Sequence, residues 1–154
     1  MNIFVLHESP RVAATMMCDK HVVKMILETA QMLCTVAAQQ GHDTPYRSTH
    51  AKHPCTIWAS VSRANWDWLI EHGMGLCEEY TQRYNKTHKS QAVIEWCRDL
   101  NLRFGSQEQT PFAQAMPPKY HSDSAVDAYR AYYHGEKANF ATWKSEVPQW
   151  WTAA

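Results

Sequence analysis

Apolar residues recur at three- and four-residue intervals over two long stretches of this chain, from Pro10 to about Ala38 and from Pro54 to about Tyr84. Almost nothing alternates with period two over a useful length. A side chain returns to the same side of a helix every three or four residues, whereas a strand needs every second one, so the chain is predicted to be all-α. The length of 154 residues suits one compact domain, 1–154, built as a bundle of four to five helices. The opening NIFVL is predicted as a short strand at most, or as an extended arm packed on the core.

Local signals set the expected boundaries. Ser9 followed by Pro10 is a helix start, because the serine caps free amides and proline lacks an N–H that would go unused there. Gly41 stops that helix. A polar, irregular segment, 42–53, precedes a second helix restarted at Pro54. Thr87 or Ser90 caps a third helix ending near Leu100. Residues 101–120, with Gly105, Pro111, Pro117 and Pro118, are predicted as a long loop crossing the surface, one wall of a cleft. Ser124 and Asp127 start a fourth helix through about His134. Gly135 then interrupts it, and a short helix to Trp143 precedes the Trp150-Trp151 tail.

Placed at about 100° per residue, Val22, Ile26, Ala30, Leu33 and Ala37 share the core stripe of the first helix. His21, Lys24, Glu28 and Gln31 fall on the other side. Such a face is what any solvated helix presents, yet Cys18-Asp19-Lys20-His21 puts four reactive side-chain types in one turn. A lysine beside a carboxylate and a histidine is also the makings of an amine nucleophile with acid–base assistance. On the second helix, Trp58, Val61, Asn65, Leu69, His72, Leu76, Glu79, Tyr80 and Arg83 share one face. Polar groups set into an apolar stripe require partners, so this face is either a satisfied structural network or a pocket wall. If the two polar faces meet, Lys24, Glu28, His72 and Glu79 converge.

Fifteen basic residues balance fifteen acidic ones, so overall charge makes no case for a nucleic-acid partner. Two acid-free zones stand out: Arg47, His50, Lys52, His53 and Arg63, then Arg83, Lys86, His88 and Lys89. They suit an anionic ligand, unless acids fold beside them. The five cysteines form no CxxC pair and are expected as reduced thiols. Cys18 with His21, and His50 with His53 and Cys55, have spacings that zinc uses. Neither is a complete ligand set, and no metal or cofactor is assigned. Seven Trp, seven Tyr and four Phe are mostly core material, with a few free to stack on a base. No apolar run reaches the roughly 20 residues of a membrane span, and the N-terminus lacks the makings of a secretion signal. Walker, GxGxxG, HExxH and GxSxG motifs are absent.

Four segments carry a resemblance over nearly the whole chain: NIFVLHESPRVAATMMCDKHVVKMILETAQML, HPCTIWASVSRANWDWLIEHGMGLCEEYTQRYNKTHKS, PFAQAMPPKY and AYRAYYHGEKANFATWK. Together they resemble a family of small proteins of tailed bacteriophages, including phages of cyanobacteria, with CDKHVVKMILE the most specific part. This implies a protein working in the host cytoplasm. The short apolar N-terminus, polar first helix and aromatic YRAYYHGEK also resemble the phage endonuclease V-type pyrimidine-dimer glycosylases, small all-α enzymes. That family forms a Schiff base through its N-terminal α-amine and uses a first-helix glutamate, for which Glu28 is the only match here. Asn2 is a poor context for methionine removal, so on this resemblance Lys24 takes over as the amine.

The expected function is an enzyme acting on a nucleobase in DNA or a nucleotide, by glycosylase or base-modification chemistry. Lys24 or His21 is the nucleophile or base and Glu28 the acid–base partner. His72, Glu79 and Asn65 orient the substrate, Asp19, Lys20, His53, Arg83 and Lys89 line or hold it, and Trp58 stacks on it. The competing class is a counter-defence binder that sequesters a nucleotide signal or blocks a host protein. A small interaction module is the third.

Overall fold

A computed structural model describes residues 1–152 and contains helices and no strand among them. In chain order these are α1 (Pro10–Met16), α2 (Asp19–Gln39), α3 (Pro54–Val61), α4 (Arg63–Tyr84), α5 (Gln91–Arg98), a 3-10 turn (Pro118–Tyr120), α6 (Ala125–Glu136) and α7 (Gln149–Thr152). The all-α class holds, with seven α-helices rather than four to five. Two of the extra helices come from breaks inside the long periodic stretches. None of the helices is long and apolar enough to cross a membrane.

The first break falls at Met17 and Cys18, both extended. Its loosened backbone groups find distant partners. Arg83 donates to the Met17 carbonyl at 2.8 Å and the Thr15 carbonyl at 3.1 Å. The Cys18 amide donates to the Tyr133 hydroxyl at 3.3 Å, and the Asp19 amide to the Thr142 carbonyl at 2.7 Å. The second break is at Ser62, whose hydroxyl caps α4 by accepting from the Asn65 amide at 3.1 Å. There the Arg63 and Ala64 amides donate to the carbonyls of Ser106 and Gln107, so the long loop supplies what the helix lost. The phase shift at Ser62 also turns Val61 outward, to 43% exposure, where an unbroken helix puts it on the buried face.

Ser9 and Ser124 cap α1 and α6 as expected; of Thr87 and Ser90, Ser90 stands at the start of α5, but its hydroxyl pairs with that of Tyr46 at 2.8 Å instead of capping the helix. Gly135 does not interrupt α6, which continues to Glu136; the ring of Tyr120 lies where its Cβ would be. The segment before Trp143 forms turns rather than a helix.

Met17, Val22, Ile26, Leu33, Leu69, Leu76 and Ile94 are among the buried residues of a single core. It is built chiefly where α4 packs on α1, α2 and α5. Residues 3–6 of the N-terminal arm are buried in it as well. The arm is extended, but Phe4 has φ 54°. Asn2 holds that kink by accepting from the amides of Ile3 and Phe4 at 2.8 and 3.2 Å. The same side chain donates to the Ala115 carbonyl at 2.7 Å, which fixes the long loop against the arm.

Candidate active site

The arm and α2 lie antiparallel, as two pairs of contacts show. The Met1 ammonium is 3.2 Å from Glu28 Oε1, and the Phe4 ring stacks on His21 with centroids 4.2 Å apart. Three residues of extended chain reach about 10 Å, and seven residues of helix rise about 10.5 Å, so the two segments keep step. His21, Lys24 and Glu28 form one stripe on α2, and the arm lies along it. This explains why a face with polar periodicity is not simply solvated: His21 is 5% and Glu28 8% exposed.

Glu28 sits between two amines. Oε2 is 3.7 Å from Lys24 Nζ, which stands largely in solvent. Oε1 is sealed from water and has no aligned hydrogen-bond donor; the Met1 ammonium meets it as a charge rather than along a bond. His53, half-buried at the start of α3, completes the surroundings. Its Nδ1 accepts from the Cys55 amide at 3.1 Å. Burial lowers its pKa, with the Met1 ammonium and His50 acting the same way and Glu28 opposing them.

At the other end of the stripe, His21 Nδ1 is 2.6 Å from the Tyr133 hydroxyl. Burial first, then the charges of Lys137, Lys24 and Lys20, pushes its pKa down to about 3. The ring is therefore neutral at ordinary pH, which removes it as a base of normal strength.

The expected convergence of Lys24 and Glu28 with His72 and Glu79 is not what the structure contains. His72 is wholly buried under α1. Its Nδ1 lies 3.0 Å from the Pro10 carbonyl and its ring stacks on Trp68, while Nε2 is left without a partner. Glu79 bonds Arg83 at 3.0 Å, and Arg83 also bonds Asp19 at 3.1 Å. Asp19 in turn accepts from the Lys144 amide at 2.9 Å. This buried cluster holds the α1–α2 break together, about 13 Å along α2 from Glu28. Asn65 spends its amide on the Trp58 carbonyl and on both the hydroxyl and amide of Thr110. Trp58, 5% exposed, is wedged against Phe112 and Trp68 and offers no free face to a base. Lys20 and Lys89 are exposed.

Of the expected residues, then, the fold gathers Lys24, Glu28 and His53, with His21 and Lys20 further along α2. It adds the Met1 amine, Tyr133 and Lys137. The AYRAYYHGEK segment that supplies the last two is conspicuous in sequence, but its pairing with α2 spans more than a hundred residues. Among the described residues no group of three or more His, Cys, Asp or Glu side chains is placed to hold a metal. All five cysteines are free and buried.

What fold and site define together is an all-helical protein with an amine–carboxylate pair under an N-terminal arm. The model of the pyrimidine dimer DNA glycosylase family matches residues 1–92, the arm, α1 to α4 and the start of α5. The chain belongs to that family, one of DNA-acting glycosylases, and nucleic acid is the partner the family implies. No curated protein and no solved structure matches the chain significantly.

Proposed function

We propose that this protein excises a damaged pyrimidine from DNA through an imine formed on the Met1 α-amine, with Glu28 managing the proton. The observation that carries this is the 3.2 Å approach of that amine to a nearly buried carboxylate, within the part of the chain that the family model covers. In the attacking step the amine nitrogen bonds to C1′ of the damaged nucleotide. The glycosidic C1′–N1 bond breaks and its electron pair stays on the base, which takes up a proton and, in a cyclobutane dimer, remains tethered to its neighbour. Transfer of the nitrogen's proton to Glu28 and opening of the sugar ring give the imine. Water then releases an abasic site and restores the amine, or elimination at C2′ cuts the strand on the 3′ side.

Two amines flank Glu28, and geometry favours Met1 over Lys24. The Met1 amine lies nearer the carboxylate, 3.2 Å against 3.7 Å, on a residue whose side chain is nearly buried, whereas Lys24 stands largely in solvent. Lys24 then serves as a nearby cation for the DNA backbone. His53, beside both Met1 and Glu28, orients the arm.

The test is borohydride trapping on a duplex containing one cyclobutane thymine dimer, with the adduct located by peptide mass spectrometry. An adduct on the N-terminal peptide supports the proposal. An adduct on the Lys24 peptide moves the nucleophile from the arm to α2 but keeps the chemistry. Specific DNA binding with neither adduct nor glycosidic-bond cleavage would sink it and favour a non-enzymatic binder.

A further inference from the structure

Lys20, His21 and Lys137 make a second constellation, about 10 Å along α2 from Glu28, that the amine chemistry does not use. Tyr133, Lys137 and Phe140 lie beyond the residues that the family model matches. Lys20 Nζ lies 4.9 Å from the centre of the Phe140 ring. Lys137 Nζ lies 4.7 Å from that of Tyr132, 5.7 Å from Phe4 and 6.0 Å from Phe140. Phe140 also packs edge-on against His21 at 5.6 Å. Among the described residues neither lysine has a carboxylate partner. Aromatic faces hold an ammonium in place without neutralising it, so the charge stays available to a ligand.

The histidine between them is prepared as a donor. The Tyr133 oxygen already accepts the Cys18 amide. Its 2.6 Å contact with His21 Nδ1 is short for N–H···O and suits an O–H···N bond in which the phenol donates. The proton of the neutral imidazole is then on Nε2. That atom has no protein partner and is not among the sealed polar atoms, so it reaches solvent.

We propose that His21 Nε2–H, with Lys20 and Lys137, binds a phosphodiester of the DNA strand that carries the damaged base. The site takes an anion because every group at it is a donor or a cation. Its field is lopsided: Lys137, Lys24 and Lys20 are the charges acting on the ring, and all three disfavour a fourth positive charge there. A neutral N–H flanked by ammoniums suits a phosphate monoanion and gives the contact direction as well as charge. The proposal rests on DNA being the partner, and not on which amine forms the imine.

The experiment is therefore equilibrium binding of undamaged duplex DNA, followed by fluorescence anisotropy over a range of salt, where no chemistry occurs. Lys20→Ala and Lys137→Ala are each expected to weaken binding roughly 3- to 10-fold at low salt and to make the salt dependence shallower by about one unit of slope. Arg98→Ala, on the far end of α5, is the control and should change neither. In parallel, the His21 ring nitrogens are followed by NMR during titration with the duplex and, separately, with inorganic phosphate. A shift of the Nε2–H signal with duplex supports the site. A response to inorganic phosphate alone would replace the phosphodiester with a free anion and overturn the proposal. So would unchanged affinity and salt slope in both lysine variants, even if trapping on Met1 succeeds.

Discussion

Glu28 and Arg83 are both nearly buried charged residues, and the structure separates their tasks. Glu28 keeps one oxygen sealed from water with only an ammonium's charge beside it, an expensive arrangement for a purely structural carboxylate. Arg83 is fully spent: its guanidinium reaches two carboxylates and two backbone carbonyls. Glu28→Gln keeps the shape and loses the proton acceptor. It should fold normally and lose about 10²- to 10⁴-fold in glycosidic-bond cleavage on dimer-containing duplex, measured in single turnover. Arg83→Ala should do the opposite. Leaving Asp19 and Glu79 buried and unpaired is expected to cost about 3–5 kcal/mol in chemical denaturation. Arg83→Lys should recover little, because one ammonium cannot reproduce the fork that spans four acceptors. Equal loss of stability in both alanine and glutamine variants would erase the distinction.

At the scale of elements, two close approaches fix how helices meet. On α4, a Cβ added to Gly75 would stand 2.9 Å from the Ala14 Cβ on α1, and α1 and α4 form the most extensive helix pair in the molecule. Gly75→Ala should therefore destabilise by about 1–3 kcal/mol, although the same change in an exposed helix interior would stabilise. The double variant with Ala14→Gly should regain part of the loss, and a thermal melt of the three proteins decides it. Gly135 on α6 is the second case, since its missing Cβ leaves the place that Tyr120 of the 3-10 turn fills. That explains a glycine within a helix that continues past it. The sequence pattern alone makes it a stop signal, because glycine is common at helix ends and an aromatic ring fifteen residues upstream gives no local sign.

Across the whole molecule, stability should depend on two buried histidines. His72 is held near pKa 4, by burial first, with the Pro10 and Ile3 carbonyls opposing, and His21 near 3. Both lie below the ordinary histidine value near 6.5. A lowered folded-state pKa means that the unfolded chain binds protons first, so their contribution is complete above about pH 6.5. It is lost progressively as pH falls from there toward 4 and 3. For His72 alone the shift corresponds to roughly 3 kcal/mol. Denaturation midpoints should fall steadily between pH 6.5 and 4, and His72→Gln should flatten that fall. A midpoint constant over this range would contradict the burial of both rings.

Helical period, the core stripe from Val22 to Ala37 and the serine caps at 9 and 124 were all determined by the sequence itself. These depend on residues within a turn or two of one another, and chain geometry carries such signals without help. Only the tertiary structure decided where the long periodic stretches break and which polar residues face each other. A helix can end inside a good periodic run only if its freed amides and carbonyls find partners, and those partners are Arg83, Tyr133, Thr142 and the 101–117 loop. The same holds for the site. Periodicity put His21, Lys24 and Glu28 on one stripe, but the N-terminal arm, packing along that stripe, set Glu28 against an amine.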